Sequence, residues 1–151
     1  MEMQQDMEDS TVRPSARFPR PEWLDREWGD EIVGVVAPGK YSMKKIYILK
    51  GQRGGLQKHH LKDEAGYVVF GRMLVRYDDG TGKLVERTVG TDEFFHFPTG
   101  CVHQTEALTD VCYIEASTPH FNDRLHVEHE YGIEKEDGGL PSTELKDVVT
   151  A

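Results

Sequence analysis

The sequence predicts an all-β fold, a barrel or sandwich of short strands, and two observations carry that reading. Runs rich in β-branched and aromatic residues, such as EIVGVVA at Glu31–Ala37 and EAGYVVF at Glu64–Phe70, recur through the middle of the chain. Turn signals separate them roughly every 8–12 residues, a spacing typical of sandwiches and barrels.

In order, residues 1–21 hold few apolar anchors and contain Pro14, Pro19 and Pro21, which predicts a loosely draped N-terminal arm. Glu22–Trp28 reads as a short helical or extended piece, with Trp23 and Trp28 the first groups expected to be buried. Strands are then expected over Glu31–Ala37, ended by Pro38-Gly39, and over Tyr41–Lys50, ended by Gly51. Gly54-Gly55 opens a bend before a short strand, Leu56–His60; Leu61–Asp63 turns the chain, and Glu64–Phe70 runs to Gly71. Arg72–Tyr77 and Leu84–Val89 flank a hairpin turn, Asp78-Asp79-Gly80-Thr81-Gly82. Glu93–Phe97 leads to Pro98-Thr99-Gly100, and Val102–Ala107 pairs with Val111–Ala116. The domain therefore spans residues 22–133. An acidic tail covers 134–151, with room for one helix over Ser142–Val149 that Ser142 would cap.

At 151 residues the chain suits one domain that buries its own core. A net charge of −9 leaves no basic stripe for nucleic acid. No apolar run reaches the ~20 residues needed to span a bilayer, and the polar N-terminus lacks the pattern of a secretory signal. A cytoplasmic protein with no membrane partner is the expectation. Cys101 and Cys112 are then expected to be reduced, as small buried residues.

The chemistry concentrates between Gly51 and Gly71. Strand residues two apart share a face, so Gln57 and His59 point one way and Lys58 and His60 the other. His59 is preferred over His60 as a ligand because Lys58, which would share the His60 face, would set an ammonium beside a cation. The turn that follows can return Glu64 over the imidazole. An amide oxygen, an imidazole nitrogen and a carboxylate then converge, a donor set suited to one divalent Zn, Mn, Fe or Ni ion.

The spacing Gly51-x5-Gln57-x-His59-x4-Glu64-x6-Gly71 resembles the first motif of the cupin family, with Gln in place of its first His, and Pro98-x-Gly100-x2-His103 resembles the second. The resemblance implies a single-domain cupin, a double-stranded β-helix or jelly-roll barrel, with Gln57, His59, Glu64 and His103 as metal ligands. Within that family the chain is similar to type II mannose-6-phosphate isomerases, whose motif is echoed by Lys44, Ile46, Ile48, Gly51, Leu56, Gln57, His59, Lys62 and Glu64. Trp28-Gly29, Ile114-Glu115 and Val127–Gly132 resemble its flanking segments. The departures fall at the end of the motif. The closing Arg is His126, with Arg124 two residues earlier, and Ile133 replaces a final Arg.

What the resemblance implies is a metal-dependent isomerase or epimerase acting on a sugar phosphate or activated sugar. Lys44, Glu115 and His126 are the candidates for catalytic contact and proton transfer, Arg124 is the candidate for substrate binding, and a homodimer is expected. The same family pattern also fits an Fe-dependent dioxygenase or a non-catalytic sugar-binding protein, because one fold hosts many activities. His96, His120 and His129 are expected at the surface or in packing.

Overall fold

The computed structural model describes residues 13–133. Residues 13–21, the described part of the expected arm, run exposed and without regular structure into the first strand. The helix expected over Ser142–Val149 lies outside the described residues, as does the rest of the tail.

The strands are β1 (Glu22–Arg26), β2 (Gly29–Ala37), β3 (Tyr41–Ile48), β4 (Gln57–His59), β5 (Glu64–Phe70), β6 (Arg72–Asp78), β7 (Leu84–Gly90), β8 (Phe94–Phe97), β9 (His103–Ala107), β10 (Val111–Ser117) and β11 (Arg124–His126). A 3-10 turn over Glu128–Tyr131 follows. The strands form two sheets, ordered β1-β2-β3-β10-β5-β8 and β11-β4-β9-β6-β7, and neighbours pair antiparallel. From β3 onward the chain passes repeatedly from one sheet to the other, the path of a jelly-roll barrel. No helix among the described residues is long and apolar enough to cross a membrane.

Glu22–Trp28, whose state the sequence left open, resolves as strand β1 over Glu22–Arg26, paired with β2 from Glu22↔Val33 to Arg26↔Gly29, followed by a turn at Glu27 and Trp28. Trp23 corrects an expectation: it is 64% exposed, because β1 is the edge strand of its sheet and has no neighbour beyond it. Trp28 is partly buried and lines a cavity. Strand β11 was not foreseen. It is three residues long, carries no β-branched residue, and owes its extended form to pairing with β4.

Gly71, which closes the first motif, links β5 to β6 at φ 92°, and a Cβ there would lie 2.1 Å from the Asp110 carbonyl oxygen. Both facts exclude any larger residue from the turn. Between the sheets, Val68, Met73, Val75, Val89, Phe97, Ala107 and Val111 form the main core cluster. Leu56, Val102 and Val127 form a smaller one. Cys112 is buried and Cys101 partly buried, both as free thiols. Met73 is 1% exposed at the centre of the main cluster. Met73→Ala is therefore expected to lower stability by about 2–5 kcal/mol through lost burial and a residual cavity, a loss read from urea unfolding midpoints.

Candidate metal centre

Strand alternation and one cross-strand register build the site. On β4, Gln57 and His59 face the barrel interior and line its cavity, whereas His60 is exposed. The turn after β4 brings Glu64, the first residue of β5, back over His59. Register supplies the rest, since Gln57 pairs directly with His103 at the start of β9. His59, Glu64 and His103 are all buried, and one ligating atom from each lies within 4.8 Å of the others. Glu64 Oε1 is 3.2 Å from His103 Nε2 and 3.6 Å from His59 Nε2.

The hydrogen bonds on the far side of each imidazole test whether this trio fits a metal ion. His103 Nδ1 lies 3.0 Å from the Cys101 carbonyl oxygen, an acceptor that requires a proton on Nδ1. His59 Nδ1 lies 2.9 Å from Asp123 Oδ1, with the same consequence. In each neutral ring the lone pair is then left on Nε2, aimed at the Glu64 carboxylate. Two lone pairs and a carboxylate facing one another need a cation between them, and a divalent ion meets that need. The amide of Gln57 borders the same space. The residues present fit a divalent transition metal, and the donor set does not choose among Zn, Mn, Fe and Ni.

The local electrostatics agree. Burial opposes the charged form of Glu64, but its contacts with His103 and His59 and the charge of Lys62 outweigh it, holding the carboxyl well below its ordinary range. Burial likewise opposes protonation of His103, but its contacts with Cys101 and Glu64 prevail and raise its pKa. Phe97 stacks on the His103 ring with centroids 4.0 Å apart and fixes its plane.

The site lies in a cavity of about 370 Å³. One wall is apolar: Ile46, Ile48, Phe95, Phe97 and Tyr113, several of which also pack on the main core. Gly66 makes room for that wall, because a Cβ there would come within 2.1 Å of the Phe95 ring. Charged residues complete the lining. Lys62 Nζ bridges Glu64 Oε2 at 2.9 Å and Glu115 Oε1 at 3.5 Å. Lys44 Nζ pairs with Glu31 Oε1 at 2.8 Å and lies 5.3 Å from the centroid of the Phe121 ring. Burial drives the Glu115 carboxyl up to about 7; Lys62 opposes the shift, and the nearby Glu64 charge adds to it. Burial also pulls the Arg124 pKa down, against the attraction of Glu64, Glu31 and Asp123.

The structure thus places Gln57, His59, Glu64, His103, Lys44, Glu115 and Arg124 around one cavity. His126 is not among the residues that line it. It shares a strand face with Arg124, but it is buried beneath Gly55 and beside Glu128, with Nδ1 3.4 Å from Glu128 Oε1.

Sequence reasoning missed Asp123, which is 1% exposed. Besides holding His59, its carboxylate accepts the backbone N–H groups of Leu61 at 2.9 Å and Lys62 at 2.7 Å. One side chain therefore fixes both a ligand's tautomer and the turn that carries Glu64. No spacing rule points to it, because it lies in a loop before β11. Asp123→Asn is expected to weaken metal binding by about 10–100-fold, the usual effect of losing such a supporting contact. Titration calorimetry checks this, with the unfolding midpoint of the metal-free protein as the control for folding.

No protein-family model matches the sequence, and no curated protein matches it. Solved structures do resemble it. The capsular polysaccharide assembling protein CapF from Staphylococcus aureus superposes with a TM-score of 0.62 at 21% identity, over 72% of this chain and 34% of CapF. This chain thus spans about a third of the CapF length. KdgF from Halomonas sp. gives 0.61 at 23% identity, over 73% of this chain and 98% of that one. An RmlC-like cupin from Shewanella frigidimarina gives 0.60 at 22%, over 72% and 96%. Likeness at this level of identity speaks to architecture, and with the two facing sheets and the buried His-Glu-His cluster it shows that this chain has the cupin fold.

Proposed function

We propose that the protein is a metal-dependent isomerase or epimerase acting on a sugar derivative. The observation that carries the proposal is the sharing of one cavity by a His-Glu-His cluster and a second buried carboxylate, Glu115, joined to it through Lys62. Moving a proton between neighbouring carbons needs charge stabilisation at oxygen and a base at carbon, and these two groups stand side by side. Gln57, His59, Glu64 and His103 would hold the ion. When bound, the ion supplies Lewis-acid stabilisation of developing negative charge on a carbonyl or hydroxyl oxygen.

The chain's own residues do the rest. Glu115 takes a proton from the carbon beside a carbonyl and returns it to the former carbonyl carbon, while the proton of the neighbouring hydroxyl passes to the former carbonyl oxygen. In an epimerisation the same carbon is instead reprotonated from solvent on its opposite face. Lys62 holds Glu115 in place against the cluster. Lys44, paired with Glu31, donates to a substrate hydroxyl. The apolar wall of Phe95, Phe97 and Tyr113 excludes water from the other side of the ring. Gln57 opposite His103, together with the resemblance to type II mannose-6-phosphate isomerases, favours isomerisation over other cupin chemistries.

The test is proton exchange. Metal-loaded protein incubated with a panel of aldoses, sugar phosphates and sugar acids in deuterated water is expected to incorporate deuterium at the carbon beside the carbonyl, seen by NMR. No exchange with any member of the panel would sink the proposal. Oxygen uptake by iron-loaded protein would move the assignment to a dioxygenase.

A further inference from the structure

We propose that the cavity takes a monosaccharide-sized ligand bearing a single carboxylate, held by the Arg124 guanidinium. The proposal rests on reading the cavity as a metal-dependent sugar site and names the class of sugar. It follows from how the charged groups around the cavity are committed.

The Lys44 ammonium is paired with Glu31, and that of Lys62 with Glu64 and Glu115. Arg53 also borders the cavity and is engaged in a contact of its own. Arg124 differs. Its position on β11, opposite His59, brings it to the cavity beside the cluster. Among the described residues, no hydrogen bond or ion pair engages its guanidinium. A largely buried guanidinium with its donor fork uncommitted is matched in charge and shape by one carboxylate, which accepts two parallel hydrogen bonds.

Other anions fit less well. A phosphate dianion buried here would find one uncommitted cation. Among the described residues no α-helix offers its N-terminus, the other common anchor for phosphate. A nucleotide-linked sugar is too large, since about 370 Å³ lies near the bottom of the roughly 300–1,000 Å³ range of small-molecule pockets. A neutral sugar would leave the partly buried Arg124 donor fork without a bidentate hydrogen-bond partner, although Glu64, Glu31 and Asp123 attract its charge from a distance. The ligand that completes the cavity carries one negative charge at the Arg124 end. Its hydroxyl or carbonyl oxygens lie towards the cluster.

Calorimetry on the metal-loaded protein tests this with D-glucuronate and D-galacturonate, D-glucose, and D-glucose 6-phosphate as probes. At least one uronate is expected to bind about tenfold or more tighter than glucose and tighter than the phosphate. Arg124→Gln is expected to remove that advantage at unchanged metal content, and Arg124→Lys to recover part of it. Glucose or its phosphate binding as tightly as both uronates would overturn the proposal. So would uronate affinity unaltered in Arg124→Gln, or no binding of any probe. Uronate binding without proton exchange would remove the isomerase reading and leave the ligand assignment standing. Exchange on a neutral or phosphorylated sugar that is indifferent to Arg124→Gln would do the reverse.

Discussion

His59→Ala is expected to abolish stoichiometric metal binding, while His60→Ala retains it. The two residues are adjacent, so the comparison isolates the face on which each side chain lies. His59 is buried with Nε2 3.6 Å from Glu64 Oε1, and His60 is exposed. Losing a contact behind a ligand costs about 10–100-fold in metal affinity, so losing the ligand itself is expected to cost more than 100-fold. Elemental analysis after dialysis reads the difference directly. Thermal unfolding supplies a second measure. An ion at a hundred times its Kd stabilises the native state by about 2.7 kcal/mol, and that increment is expected for wild type and His60→Ala and absent for His59→Ala. The Asp123 carboxylate keeps its two backbone donors in the variant, so the metal-free fold is expected to survive. Equal metal content in the two variants would mean that the binding face has been assigned wrongly.

The second large effect falls on Glu115. Glu115→Gln preserves shape and keeps an oxygen for Lys62, but it removes the group that takes the proton. General-base catalysis contributes typically about 10²–10⁴-fold, so exchange at the carbon beside the carbonyl is expected to fall by that amount. Metal content is expected to hold, because Glu64 keeps its own 2.9 Å contact with Lys62 and its contacts with both imidazoles. The same variant separates proton transfer from ligand anchoring. Uronate affinity is expected to change little in Glu115→Gln and strongly in Arg124→Gln, whereas exchange falls in both. Full exchange activity in Glu115→Gln would reassign the base.

How much of this was legible in the sequence depends on whether a residue lies in a regular strand. The cluster of His59, Glu64 and His103 could be read because alternation on β4 and two spaced motifs both constrain it. The choice of His59 over His60 needed only the period of a strand and the charge of Lys58 on the His60 face. Strands β2, β3, β5, β6 and β7 announced themselves through β-branched residues and flanking turns. Where the backbone takes its shape from a partner, the sequence was silent or misleading. β11 is extended because it pairs with β4, so alternation along it carried no independent warning that Gly55 and Glu128 would cover His126 while Arg124 reached the cavity. Trp23 was expected inside because large aromatics usually are, and the edge position of β1 leaves it outside. Asp123 belongs to a loop. Its role comes from a contact 64 residues away in sequence, which no local pattern encodes.

That separation also bears on the order in which the molecule is made. His59 and Glu64 are neighbours through one turn, but His103 and Asp123 come from much later in the chain. Closing such distant pairings is the slow part of folding for β-rich topologies. A nascent chain that has not reached His103 therefore presents at most three of the four donors, Gln57, His59 and Glu64, with the His59 ring free to take either tautomer. Metal capture then marks the end of folding rather than its nucleation. In a refolding experiment, acquisition of the ion is expected to lag behind the appearance of β-structure and to follow the same time course as the docking of β11 on β4.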